Sequence, residues 1–204
     1  FYKLPHAGDI QSQFVYGQTE TNRDQIASTR LIANPGCFAT ATILALAPIL
    51  NSGLTNGRFI VDAKTGSSGS GVKPAANTHH PQRVNSFYAY KPFDHQHVPE
   101  IRQHLTKCTG IEPDLTFMTH SLPVSRGIFA SCYMETDVLL TNEDIRNLYS
   151  KFYENSFFVR LVEGSPDINW VKNTNFCDIA YHTQGNKVVV FSAIDNLVKG
   201  AAGQ

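Results

Sequence analysis

Arg30-Leu31-Ile32-Ala33-Asn34-Pro35-Gly36-Cys37-Phe38-Ala39-Thr40 carries a β-like run into an Asn-Pro-Gly turn, then into an apolar, Ala-rich stretch that reads as helix from Cys37 to Leu50. Pro35 stops the strand, and Gly36 lets the backbone turn sharply and a ligand come close. Cys37 then falls in the first helical turn, where backbone N–H groups lack partners and the helix dipole is positive. A thiolate is stabilised there, so the expectation is a lowered pKa and a reactive sulfur. The same N–H groups suit an oxyanion formed when sulfur attacks a carbonyl. The plainer alternative is a small, buried core cysteine.

The 204 residues, 42% apolar, suffice for one sizeable core, or for one domain and part of another. Seventeen basic residues balance seventeen acidic ones, which argues against nucleic acid as a partner. No apolar run is long enough to span a bilayer, the longest (Ala39 to Leu50) being broken by Thr40, Thr42 and Pro48. No signal peptide is visible, and because the chain starts at Phe1 rather than Met an N-terminal part is expected to be missing. Cys37, Cys108, Cys132 and Cys177 are far apart with no C-x-x-C pair, which fits a reducing cytoplasm and offers no paired spacing for zinc.

Residues 1–24 read as loop with a short strand at Phe14–Tyr16, followed by strand Thr29–Ala33 and the Cys37–Leu50 helix, which Asn51-Ser52-Gly53 closes. Arg58–Ala63 is a strand, Asn85–Tyr90 is extended and Pro99–Lys107 is helical. Leu115–His120 and Gly127–Leu140 read as two strands joined by Leu122–Arg126. Thr141, with Asp144 three residues on, starts a helix to about Asn155. Phe158–Val162, Cys177–His182 and Lys187–Ala193 are strands, the last two joined at Gly185-Asn186, and Asp195 begins a final helix. This pattern predicts an α+β fold, a mixed, largely antiparallel sheet with helices on one face.

Three further segments carry chemistry. In His95-Gln96-His97-Val98-Pro99-Glu100, a histidine near a thiolate serves as general base and acid, and a first-turn glutamate orients and charges it. The same cluster also suits a metal site or a solvated helix entry, with His79-His80 a weaker, surface pair. Gly66-Ser67-Ser68-Gly69-Ser70-Gly71 follows a strand and offers N–H groups to anions, or is a flexible linker; it matches neither a P-loop nor a G-x-G-x-x-G fingerprint. Arg126, in Pro123-Val124-Ser125-Arg126-Gly127, is placed to grip a carboxylate or phosphate, or is simply a surface residue.

Taken in order, Asn34–Thr40, Thr65–Gly71, His95–Ile101, Pro123–Ile128 and Asp195-Asn196-Leu197-Val198-Lys199-Gly200-Ala201-Ala202-Gly203-Gln204 resemble the N-acetyl-γ-glutamyl-phosphate reductase family, arginine-biosynthesis relatives of aspartate-semialdehyde dehydrogenase. The five blocks span nearly the whole chain. Val72-Lys73 and Gln96 stand where the family usually has arginines, and the family's N-terminal nucleotide-binding fingerprint is absent. The resemblance implies a fragment: 1–36 as the tail of an NADP-binding Rossmann domain, 37–194 as a catalytic, substrate and oligomerisation domain of the glyceraldehyde-3-phosphate-dehydrogenase type, and 195–204 as the start of a helix returning to the cofactor.

It further implies a cytoplasmic oxidoreductase that uses NADPH to reduce an acyl phosphate through a thioester on Cys37, with phosphate released. His97 would be the base, His95 its competitor, and Glu100 would tune it. Arg126 and Asn34 would bind substrate; Ser67, Ser68, Gly69 and Asn196 would lie near the cofactor; no metal is expected. The family forms homo-oligomers, dimer or tetramer, and needs neither nucleic acid nor membrane. Three rivals stand beside this reading. One is the reductase of carrier-bound aminoadipyl phosphate in lysine biosynthesis. Another is aspartate-semialdehyde dehydrogenase, against which Pro35-Gly36 and the His-x-His-x-x-Glu segment argue. The third is a non-catalytic, metal-binding module on the same fold.

Overall fold

The structure is a computed structural model that describes residues 8–204. The stretch from Cys37 forms α2 (Cys37–Asn51), preceded by β1 (Val15–Tyr16), α1 (Thr19–Ala27) and β2 (Ile32–Ala33). Every residue of α2 from Phe38 to Leu50 is buried, as expected of a helix apolar on all sides. Around it lie β3 (Arg58–Thr65), α3 (His80–Arg83), β4 (Tyr88–Tyr90), α4 (Val98–Thr109), β5 (Asp114–Ser121) and β6 (Ile128–Glu135). The chain continues through α5 (Asn142–Phe152), β7 (Val159–Leu161), α6 (Ile168–Val171), β8 (Cys177–Gln184) and β9 (Lys187–Ile194).

Seven strands form one sheet in the order β4-β5-β3-β6-β9-β8-β7. Only β3–β5 and β7–β8 are parallel, so the mixed, largely antiparallel sheet is the one expected. Alternate residues of the central strands (Phe59, Val61 and Ala63; Ala130 and Cys132; Val188 and Val190) join α2, Ile101 and Leu105 of α4 and Ile145 and Tyr149 of α5 in one core. The opposite face leaves Ile60 52% and Tyr133 43% exposed.

Several expectations are corrected. Residues 8–24 are not mainly loop: a 3-10 turn spans Gly8–Gln13 and α1 begins at Thr19, its helical pattern obscured by a non-helical Asn22; the part of that reading over 1–7 lies outside the described residues. β5 and β6 are joined through Leu122–Arg126 as expected but do not lie side by side, because β3 inserts between them and pairs with both. β6 ends at Glu135, not Leu140, where Thr136 turns its hydroxyl onto the carbonyls of Val138 and Asn186. The short helices α3 and α6 were not foreseen. The final segment is not a helix from Asp195 but a single wide turn, Val198–Ala202, with i→i+5 bonds from Gly200 to Asp195 and from Gly203 to Val198.

Thr141 and Asp144 cap α5 reciprocally, as their spacing predicts. Inside α2, Pro48 has no N–H to give the carbonyl of Leu44. The Tyr153 hydroxyl, buried, donates to that carbonyl at 2.6 Å. Tyr153→Phe should therefore lower the unfolding free energy by about 1–3 kcal/mol, the cost of an unpaired buried acceptor. Chemical denaturation checks this, and Pro48→Ala, which restores the missing donor, should shrink the loss.

Candidate active site

Gly36 is the N-cap of α2, and its N–H donates to Glu100 Oε1 at 2.8 Å. Tyr16 donates its hydroxyl to the same oxygen at 2.8 Å. Glu100 sits in the first turn of α4, whose N-cap is His97. The His97 ring lies so close to Gly36 that a Cβ there would overlap it, so this glycine is required by contact rather than by its φ of −69°. From the other side Gly200 packs on Cys37; a Cβ at Gly200 would meet Cys37 Cβ at 2.7 Å. Cys37 is thus held between α4 and the wide C-terminal turn.

Cys37 lines a cavity of about 290 Å³ together with His95, His97 and Tyr90. Ser67 and Gly69 of the small-residue loop form one wall. Cys37 therefore shares one site with His95 and His97, which lie far from it in sequence. Phe38, Phe117 and Tyr90 pack edge-on or tilted around His95, which the sequence did not foretell.

Protonation states differ from expectation. Burial pushes the half-buried Cys37 thiol up to about 11, although the N–H groups of Phe38 and Cys37 pull the other way and Glu100 adds to the rise. The helix N-terminus acts as foreseen, but loss of water outweighs it. Burial also lowers both histidines, His95 to about 3 with help from the charges of His97 and Lys91. For His97, Glu100 opposes that fall and Lys91 adds to it. Both shifts favour the neutral imidazole. His95 Nδ1 already accepts the His97 backbone N–H at 3.2 Å, whereas His97 Nδ1 is buried without a partner. Glu100 acts on His97 through its charge; its hydrogen bonds go to Gly36 and Tyr16.

Other expected site residues are engaged elsewhere. Arg126 Nη2 donates to Asp195 Oδ1 at 2.9 Å, and Arg126 is not among the cavity's lining residues. Burial alone would raise Asp195, but the N–H of Asn173, Arg126 and the N–H of Leu197 hold it below the usual carboxylate range. Asn34 is exposed and donates to the Ala201 carbonyl at 2.6 Å. Asn196 accepts from Gly127 N–H at 2.8 Å and donates to Ser68 Oγ at 3.0 Å, bracing the small-residue loop from behind. Ser68 in turn donates to the Ser125 carbonyl at 2.6 Å. Among the described residues no group of three His, Cys, Asp or Glu is arranged to hold a metal ion, and all four cysteines are free thiols.

A buried ion pair was missed by sequence reading. Lys199 Nζ lies 2.5 Å from Glu20 Oε1, with side chains 1% and 4% exposed. Gln18 and Gln204 donate to the other Glu20 oxygen, each at 2.9 Å. Burial would raise Glu20, but Lys199, Gln204 and its own backbone N–H leave it lowered.

The model of the semialdehyde dehydrogenase dimerisation domain matches residues 37–196, beginning at Cys37 itself. The chain belongs to the semialdehyde dehydrogenase family. It is 41% identical over 210 residues to N-acetyl-γ-glutamyl-phosphate reductase of Bacillus cytotoxicus, matching 100% of this chain and 61% of that protein. The reductase of the same name from Methanopyrus kandleri is 42% identical over 208 residues, matching 100% and 60%. The chain thus spans about three fifths of the length of these relatives. Among solved structures, aspartate semialdehyde dehydrogenase II of Vibrio cholerae superposes with a TM-score of 0.73 at 17% identity, covering 94% of this chain and 66% of the other. That likeness is one of fold. Among the described residues, no helix is long and apolar enough to cross a membrane.

Burial depresses His95, His97 and His104, the last to about 4 with Lys107 adding to the fall. Between their ordinary value of 6.5 and these lower values the unfolded chain binds protons that the folded one refuses. Their contribution is thus fully present above pH 6.5 and lost as pH falls through 4 toward 3. The melting temperature should drop steadily over that window. His104→Gln should flatten the slope by about one proton, as read from melting curves at stepped pH.

Proposed function

We propose that the protein containing this chain reduces N-acetyl-L-glutamyl 5-phosphate to N-acetyl-L-glutamate 5-semialdehyde with NADPH, releasing phosphate, as a step of arginine biosynthesis. The observation that carries this reading is the shared cavity of Cys37 and His97 at the N-terminus of α2. Relatives of that name, 41–45% identical, support the choice of substrate.

Neutral His97 takes the proton of Cys37 Sγ, which a thiol held at about 11 does not shed by itself at pH 7. Sulfur bonds to the acyl carbon, and the carbonyl electron pair moves onto oxygen near the N–H groups of Cys37 and Phe38. The pair returns, the bond to phosphate breaks, and His97 passes its proton to the departing phosphate. A nicotinamide cofactor held beside Ser67 and Gly69 would supply the hydride that reduces the thioester carbon, the oxygen there taking a proton from solvent. His97 then accepts the thiohemiacetal hydroxyl proton as the C–S bond breaks, and returns it to sulfur. His97 is the better base than His95, whose Nδ1 is occupied and whose basicity burial, His97 and Lys91 depress with no carboxylate to oppose them.

A cavity of about 290 Å³ walled by Ser67 and Gly69 fits a small acyl group and the reacting end of a cofactor, not a whole dinucleotide. The remainder would be held by a Rossmann domain of which residues 1–36 are the tail. The parallel β1–α1–β2 unit, paired apart from the main sheet, supports that division, with 37–194 as the catalytic body and 195–204 returning toward the cofactor. Ser67, Ser68, Gly69 and Asn196 stay assigned to the cofactor side, the last as a brace. We read the whole as a cytoplasmic homo-oligomer joined through the open sheet face of Ile60 and Tyr133.

The test is the full-length protein with N-acetylglutamate semialdehyde, phosphate and NADP. Turnover is expected, and its absence, with activity toward a carrier-bound aminoadipyl substrate instead, would reassign the substrate. Cys37→Ser should lower turnover by at least a thousandfold, on the order of losing a covalent nucleophile, with NADPH binding kept. His97→Asn should cost about 10²–10⁴-fold and far more than His95→Asn.

A further inference from the structure

A buried arginine lines the cavity with no counter-ion among the described residues. Arg83, at the end of α3, is 6% exposed and lines the same cavity as Cys37. Two of its five N–H groups go to neutral carbonyls, Nη1 to Ser86 at 3.1 Å and Nη2 to Leu122. Among the described residues no carboxylate lies within ion-pair distance of it. A buried charge is ordinarily paired, so an unpaired one costs stability unless an anion arrives.

A second cation lies at the rim. Lys91 is exposed, lines the cavity, and sits at φ 45, a left-handed conformation rare for a residue with a side chain. Its Nζ donates to Gln96 Oε1 at 2.7 Å. Its charge reaches both histidines, depressing each. Among the described residues, Arg83 and Lys91 are the only lysine or arginine residues lining this cavity; Arg126 is bound to Asp195.

We propose that Arg83, assisted by Lys91, forms the anion subsite of the Cys37 cavity and receives an oxyanion, phosphate or carboxylate, of the bound ligand. The assignment of that anion to an acyl-phosphate substrate rests on the function proposed above; the subsite itself does not. Arg83 offers three unspent N–H groups suited to two oxygens at once, and Lys91 a mobile point charge at the entrance.

The test is alkylation of Cys37 in the full-length protein, read by peptide mass spectrometry. Anionic iodoacetate and neutral iodoacetamide are compared at pH 9 and constant ionic strength. The iodoacetate to iodoacetamide rate ratio should exceed that of free cysteine by about tenfold, because a cationic cleft concentrates anions. Arg83→Gln should abolish the excess and Lys91→Gln should reduce it. Inorganic phosphate should slow both reagents. Protection by N-acetylglutamate but not by phosphate would assign the subsite to the carboxylate. A parental ratio equal to that of free cysteine, or one unchanged in Arg83→Gln, overturns the proposal. If Arg83→Gln does not fold, the exposed Lys91→Gln and protection by phosphate or N-acetylglutamate decide: no change in the first and no protection by either anion overturn it. A protein with the anion preference but without reductase turnover would keep the subsite and lose the function.

Discussion

One carboxylate oxygen, Glu100 Oε1, joins three segments that the chain keeps far apart. It accepts from Gly36, which starts the buried helix α2, and from Tyr16 of the N-terminal strand, while Glu100 itself belongs to the first turn of α4. Two helix N-termini thereby converge on one carboxylate, which favours both dipoles. Cys37 and His97 can share a cavity because these two starts are pinned together. The arrangement also has an electrostatic cost, since the charge that holds the turn raises the thiol.

The opposite wall depends on polar contacts hidden from solvent. The wide turn at Val198–Ala202 approaches Cys37 through Gly200, and is anchored by Lys199 on Glu20 and by Asp195 on Arg126. Asp195 also accepts the N–H groups of Asn173, Leu197 and Val198. Buried ion pairs of this kind contribute little net stability, because desolvation offsets their attraction. Their consequence here is geometric: they set where the last turn meets the sulfur.

Much of the site was legible locally. Asn34-Pro35-Gly36 before an apolar run marks the start of α2 at Cys37, and His95, His97 and Glu100 lie within two turns, so their spacing brings them together in almost any packing. The Thr141 cap and the Gly185-Asn186 hairpin were equally local. The insertion of β3 between β5 and β6 was not legible, because neighbouring strands with a short connection read as partners until a third competes for both edges. Arg83 carried no signal at all, since nothing in its surroundings in sequence marks a buried cation.

By itself the sequence determined which chemical groups stand at the helix start and in what order, because capping and turn formation act within a few residues. Only the tertiary structure decided their proton states and loyalties. Desolvation raised the Cys37 thiol that the dipole alone would have lowered, and a buried carboxylate 69 residues away drew off Arg126. Burial and ion pairing depend on what packs from elsewhere in the chain, and that is settled only when the chain has folded.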